Sequence, residues 1–263
     1  ELAGLTLKEA YEKQPTLFTE KVYDKFPLLI KILDASDNLS VQVHPEDDYA
    51  RENENGELGK TECWYVLDAK EGAKLVYGHT AKTKEEFNDK INREQWQELF
   101  IEEEVKAGDF FYIPAGTLHA IGEGILIYEV QQNSDTTYRV YDYDRIDKDG
   151  NKRELHIEKT KDVTKVPFEK VTTSPKTEKL EGATVTYLAD ERYFSVFKVE
   201  VEGQVSLEKT RTGNLFTVLN GSGSVEIDGN IYDVKKGDSF ILTTDCSKYT
   251  LKGNMFLVGS YDR

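Results

Sequence analysis

Polar and apolar positions alternate strictly along Leu39-Ser40-Val41-Gln42-Val43-His44-Pro45. Successive side chains of a strand point to opposite faces, so Ser40, Gln42 and His44 share one face and Leu39, Val41 and Val43 the other. The same period puts Lys60, Glu62 and Trp64 of Gly59–Val66 on one face, with Thr61, Cys63 and Tyr65 opposite. The apolar run Phe26–Asp34 predicts a strand, and Ala35-Ser36-Asp37-Asn38 the turn that follows it. Pro45–Gly59, acidic and containing Asn and Gly, reads as a loop with a helical turn. Trp64–Leu67 and Lys74–Gly78 are strands around the Lys70-Glu71-Gly72 turn. Two further segments read as strands, one after Val105 that turns at Pro114 and Gly116 and delivers His119, the other Ile125–Gln131. The period changes between Lys82 and Leu99, where Phe87, Ile91, Trp96, Leu99 and Phe100 recur at helical spacing among charges. That predicts a small helical insertion over about 82–104, an amphipathic helix or helix pair. Leu7–Lys21, with Pro15 in its middle, reads as a short helix and a turn.

Residues from about 146 to 180 are charged and weakly periodic, with one short helix expected. Beyond them lie Phe194–Val199, Asn214–Leu219, Gly223–Ile227, Ser239–Leu242 and Asn254–Val258, separated by turns at Asn220-Gly221, Asp228-Gly229 and Lys236-Gly237-Asp238. Many short strands with closely spaced turns predict antiparallel jelly rolls. Lys106-Ala107-Gly108-Asp109-Phe110 and Lys235-Lys236-Gly237-Asp238-Ser239-Phe240 form a weak internal repeat, each before an apolar strand. The expectation is a mainly β chain of two like units, at 1–160 and 161–263. Only the first carries histidine.

The 263 residues suffice for two such cores, and the formal net charge is −15. With a pI near 4.8, the balance argues against nucleic acid or an anionic membrane as partner. The mean hydropathy is −0.59 and no apolar run reaches a membrane-spanning length of about 18 residues. Two distant cysteines, Cys63 and Cys246, make no disulfide framework, so a reduced, cytoplasmic setting is expected. The chain opens at Glu1 rather than Met, which leaves open an N-terminal piece ahead of it.

Against that acidic background, a face bearing Gln42 and His44 beside one bearing Glu62 is unusual to bury. With His119 it makes an N and O donor set for a metal, zinc first, with iron, manganese, cobalt and nickel open. Single histidines on strands more often pack or hydrogen-bond, and surface or structural roles are expected for His79 and His156. The combination of Gln-x-His, Lys-x-Glu and Pro-x-Gly-x-x-His is far more specific. Lys60 lies beside Glu62, and Arg139 and Arg145 follow Gln131; arginine favours planar anions. A salt bridge from Arg145 to Asp142 or Asp144 is the plainer alternative. Glu129 could pair with Arg139 or move a proton.

The segments Leu39–Pro45, Gly59–Val66, Ile113–Ile121 and Tyr128–Arg145 resemble those of type I mannose-6-phosphate isomerases of the short bacterial form, in the cupin superfamily. The likeness is nearly continuous from Phe26 to His156, and the second half resembles the family's metal-free cupin domain. The resemblance implies one zinc ion per chain held by Gln42, His44, Glu62 and His119. It places the catalytic arginine at Arg139, phosphate contacts at Arg145 and Ser40, and pocket residues with proton-transfer roles at Lys60 and Glu129. It implies interconversion of mannose 6-phosphate and fructose 6-phosphate through an enediolate, by a monomer or weak homodimer. The family's Trp-Gly-Gly pocket motif is absent before Phe26. Other metal cupins are iron-dependent dioxygenases, and a non-catalytic sugar-phosphate-binding cupin is a third reading.

Overall fold

The computed structural model describes residues 2–209 and 212–263. The chain divides into two compact units, Leu29–Thr172 and Thr173–Arg263 together with the N-terminal segment up to Leu28.

In the first unit the strands are β1 (Leu28–Ala35), β2 (Val41–Val43), β3 (Glu62–Ala69), β4 (Lys74–His79), β5 (Phe100–Glu104), β6 (Phe110–Ile113), β7 (His119–Ala120), β8 (Ile125–Gln132) and β9 (Tyr138–Tyr141). They form two sheets, ordered β1-β8-β3-β6 and β5-β4-β7-β2-β9. Trp64, Val66, Phe111, Ile113, Ile125 and Ile127 from the first sheet meet Leu75 and Tyr77 from the second in one buried cluster. The outer face of the five-stranded sheet carries Val41, Val43, Val76, Ala120, Tyr138 and Val140, packed with residues of three helices. These are α3 (Lys84–Asn92), α4 (Trp96–Leu99) and α5 (Ile157–Val163); α2 (Asp47–Asn53) lies in the loop after β2.

The helix pair expected over 82–104 ends at Leu99, because 100–104 is strand β5, paired with β4 from Lys74↔Glu104 to His79↔Phe100. Thr83 caps α3 by accepting the Glu86 N–H at 3.2 Å, and Phe87 and Ile91 supply its buried stripe. His79 is buried, with its ring 4.8 Å from that of Phe87 and Nε2 2.9 Å from the Lys165 carbonyl oxygen. Its role is structural.

The second unit holds β10 (Lys176–Leu180), β11 (Ala183–Asp190), β12 (Phe194–Glu208), β13 (Asn214–Ile227), β14 (Asn230–Lys235), β15 (Ser239–Leu242) and β16 (Lys248–Asp262). Their order is β10-β11-β12-β16-β13-β14, with β15 on β13. β12 and β16 are far longer than the apolar runs inside them and pair without a break from Phe194↔Asp262 to Glu208↔Lys248. Asn220-Gly221 is not a turn. It lies next to a register shift within the single strand β13, where Gly221 adopts a positive φ against the backbone of β16.

The boundaries expected at 160 and 161 move for physical reasons. Residues 161–172 stay with the first unit: Lys165 N–H donates to the Gly116 carbonyl at 2.9 Å, and the Phe168 ring packs on Tyr77 at 5.5 Å. The N-terminal segment, with α1 (Leu7–Lys13) and a 3-10 turn at Pro15–Leu17, belongs to the second. Gly213 N–H donates to Phe18 O at 2.9 Å, and Thr244 N–H to Leu17 O at 2.8 Å. Tyr11, Phe18 and Phe26 form an aromatic trio beside these bonds.

The internal repeat is one turn built twice. Lys106 N–H donates to Asp109 Oδ2 and Lys235 N–H to Asp238 Oδ2, each at 2.9 Å. Gly108 and Gly237 take φ of 93° and 94°, which suits glycine alone, and donate to Val66 and Val218 respectively. The register makes Asn214, four residues before Val218, the counterpart of Glu62, four before Val66. The metal-type carboxylate is an amide in the second unit.

Candidate metal centre

Strand pairing brings the expected donors together. Gln42 stands opposite His119 on β7 and opposite Arg139 on β9, so all three project from one face of the five-stranded sheet. Glu62 comes from β3 on the facing sheet. His44, Glu62 and His119 are buried, and their ligand atoms all lie within 4.8 Å of one another. Among the described residues this is the one such His/Cys/Asp/Glu group.

Their hydrogen bonds orient them. His44 Nδ1 lies 2.8 Å from the Thr136 carbonyl oxygen and His119 Nδ1 2.8 Å from that of Thr117. A carbonyl only accepts, so each Nδ1 carries the proton and each Nε2 turns a lone pair inward. The two Nε2 atoms are 3.2 Å apart, and they approach the Glu62 carboxylate at 3.5 and 3.3 Å. Glu62 Oε1 is buried with no hydrogen-bond partner. Converging lone pairs and an orphaned carboxylate oxygen are what a divalent cation neutralises, so the residues fit the ion. Gln42 Nε2 stands 3.3 Å from His119 Nε2, and a half-turn of the amide presents Oε1 there instead.

Lys60 Nζ bonds Glu62 Oε2 at 2.5 Å and approaches His44 Nε2 at 3.0 Å. Burial would raise the Glu62 carboxyl, but the Lys60 ammonium bonded to it overcomes that and holds the group well below the usual carboxylate range. Burial, reinforced by Lys60, pushes His44 down to about 3, and burial lowers His119 as well. Both imidazoles are therefore neutral, as ligands must be.

Glu129 lies on β8 directly across from Trp64. Oε2 accepts the Trp64 indole N–H at 2.9 Å and Oε1 the Lys31 ammonium at 3.0 Å. Burial and the charge of Glu62 raise its pKa, against the pull of Lys60 and Lys31. Glu129 pairs with Lys31 in this arrangement, where the sequence offered Arg139. Lys31 also bonds Gln131 Oε1 at 2.5 Å. The sequence reading missed Lys31 as a site residue, although a single lysine within an apolar strand was a signal for it.

Arg139 donates from Nη1 to Glu154 O at 2.8 Å, while its buried Nε has no partner. His156 brackets its backbone, with Nδ1 accepting the Arg139 N–H at 3.1 Å and its own N–H donating to Arg139 O at 2.8 Å. Arg145 bonds Asp142 Oδ1 at 2.5 Å and the Asn38 carbonyl at 2.6 Å, so the Asp142 salt bridge is present. Asp144 pairs with Lys152 instead. Asp142 is also gripped by Arg153 through Nε and Nη2, a partner eleven residues away that the sequence reading did not single out. Burial, Arg153 and Arg145 all lower the Arg139 pKa, so this corner carries surplus positive charge in an acidic protein. Ser40 is buried, two residues beyond the Asn38 carbonyl that Arg145 bonds.

Two family models match the chain: phosphomannose isomerase type I, catalytic domain, over residues 1–67, and mannose-6-phosphate isomerase, cupin domain, over residues 183–262. Mannose-6-phosphate isomerase ManA of Bacillus subtilis is 48% identical over 250 residues, 95% of this chain and 79% of that protein. The crystal structure of a mannose 6-phosphate isomerase from Bacillus subtilis superposes with a TM-score of 0.94 at 43% identity, covering 97% of this chain and 82% of that one. A zinc-bound mannose 6-phosphate isomerase shares the fold at 16% identity, with a TM-score of 0.76, over 98% of this chain and 86% of that one.

Proposed function

The chain belongs to the type I mannose-6-phosphate isomerase family, and from that premise we propose that it interconverts mannose 6-phosphate and fructose 6-phosphate in the cytoplasm. The observation that carries the reading is the buried His44–Glu62–His119 group with its unpartnered carboxylate oxygen, set beside an arginine-rich corner. His44, Glu62, His119 and Gln42 would hold zinc, which supplies polarisation of the sugar oxygens when bound.

The remaining work falls to the chain's own side chains. Aldose–ketose interconversion removes the proton from C2, forms an enediolate and returns a proton at C1. In this reading Arg145 and Ser40 hold the phosphate and fix the sugar's register. The free Nε of Arg139 is a donor already stripped of water, suited to the negative charge that grows on the enediolate oxygens. Glu129 moves the proton, because its raised pKa brings carboxylate and carboxylic acid closer in energy near neutrality. Lys60, bonded to Glu62 and His44, holds the positive side of the pocket and the ligand carboxylate in place.

The test is a coupled assay of mannose 6-phosphate conversion by the full-length protein, before and after chelation and zinc return. Activity lost to chelator and restored by zinc supports the reading. Absence of conversion by folded, zinc-loaded protein refutes it.

A further inference from the structure

Trp64 is buried in the heart of the first unit, yet its polar atom is committed to one bond, from Nε1 to Glu129 Oε2 at 2.9 Å. Its ring meets that of His119 edge-on, with centroids 5.4 Å apart and planes at 76°. The indole therefore touches a metal-type ligand on one side and the carboxylate of Glu129 on the other. We propose that Trp64 is a positioning residue that fixes the Glu129 carboxylate for proton transfer. This rests on the reading of Glu129 given above.

The argument is one of donors and free edges. Glu129 is 3% exposed, so its rotamer is set by protein groups rather than by water. Indole N–H is a donor only and cannot titrate, so a hydrogen bond to it holds Oε2 unprotonated in either state of the carboxyl. Oε1 faces the Lys31 ammonium, whose side chain is 33% exposed and can move aside. A proton arriving at Glu129 is thereby directed to Oε1. The His119 ring and the in-register Trp64↔Glu129 pair keep the indole from swinging away, so the carboxylate plane stays fixed relative to the ligand group. A neutral donor suits the task, because a second cation on Oε2 would pull the carboxyl back toward permanent ionisation.

Trp64→Phe keeps the aromatic packing and removes the N–H. In the zinc-loaded full-length enzyme, kcat is expected to fall about 10- to 100-fold, the scale of a misplaced catalytic group, with KM for mannose 6-phosphate within about twofold. Bound zinc, measured by elemental analysis, is expected to be unchanged. In a Glu129→Gln background the same substitution is expected to cost nothing further, because the indole acts through that carboxylate. The chain has two tryptophans, so a 15N-labelled sample gives two indole N–H resonances, one from each. That of Trp64 is expected downfield and slow to exchange, moving upfield in Glu129→Gln while that of Trp96 stays; this holds even if Trp64→Phe does not fold.

The outcomes separate. Full activity of Glu129→Gln overturns the proton-transfer reading, and the positioning role with it. An impaired Glu129→Gln beside a Trp64→Phe enzyme with wild-type kcat overturns the positioning role alone. So does an equal loss from Trp64→Phe in both backgrounds, or a Trp64 resonance indifferent to Glu129→Gln.

Discussion

Asp142→Asn offers a sharp test of the arginine-rich corner. The Asp142 side chain is 6% exposed and accepts from two guanidinium groups, Arg145 and Arg153, which remain 31% and 50% exposed. Asparagine keeps one carbonyl acceptor but loses the charge, and turns an NH2 toward cationic donors. Breaking a fully buried ion pair costs about 3–5 kcal/mol, because the surviving charge is left dry. Here water reaches both arginines, so the loss should approach the value of one or two charge-assisted hydrogen bonds, about 2–3 kcal/mol. At about 2–4 °C per kcal/mol for a chain of this size, Tm should drop by about 5–10 °C in a reversible melt. Arg145 should also leave the Asn38 carbonyl; with Arg145 in its proposed phosphate-holding role, losing that partly exposed contact costs ~1 kcal/mol, or roughly a fivefold rise in KM for mannose 6-phosphate. The kcat should hold near its wild-type value. An unchanged Tm would show that the two arginines do not depend on Asp142. A lowered Tm with unchanged KM would remove Arg145 from the phosphate site.

Three further outcomes follow from the geometry. Arg139→Ala should lower kcat by about 10²–10³-fold, on the scale of a lost transition-state donor, with Tm little changed because the side chain donates to an exposed backbone carbonyl, that of Glu154. Phe87→Ala, emptying a fully buried site under α3, should cost about 3–5 kcal/mol in urea unfolding and leave the KM of the surviving enzyme alone. Glu54 is held below the ordinary carboxylate value by Lys159 first and Tyr138 next, so its contribution to stability is complete above that value and lost as pH falls through its folded pKa. Urea midpoints measured from pH 6 down to pH 3 should therefore fall less steeply for Glu54→Gln than for the parent; a steeper fall would contradict the assignment.

The ligand group was legible because a period of two is a local property. Gln42 and His44, or Lys60, Glu62 and Trp64, declare a shared face within a few residues, and only a buried polar face makes such alternation notable. Pro114 and Gly116 likewise announced the turn that delivers His119. The Asp142–Arg153 clamp, the Lys31–Glu129 contact and the return of the first 28 residues to the second unit were not legible. Each joins segments whose separation carries no periodic signal, and a charged residue in a charged stretch looks alike whether paired or solvated. The long strands β12, β13 and β16 were read short because exposed ends of hairpins hold polar residues. Asn220-Gly221 has turn chemistry, but pairing with Phe256 and Met255 of β16 imposes extension there.

The discontinuous second unit has a consequence for the order of events at the ribosome. Glu20 and Thr16 find their partners Thr212 and Thr244 at separations of 192 and 228 residues. At about 5–20 residues per second, the N-terminal segment waits about 10–45 s for the strands that will cover it. Meanwhile Gln42, His44, Glu62 and His119, and every strand that carries them, have already emerged. The metal-type pocket can be assembled and loaded while the segment bearing Tyr11, Phe18 and Phe26 still lacks its partners Thr212, Gly213 and Thr244. The aromatic segment around Tyr11, Phe18 and Phe26, rather than the pocket, is then the part most exposed to aggregation and the place where a chaperone would be needed.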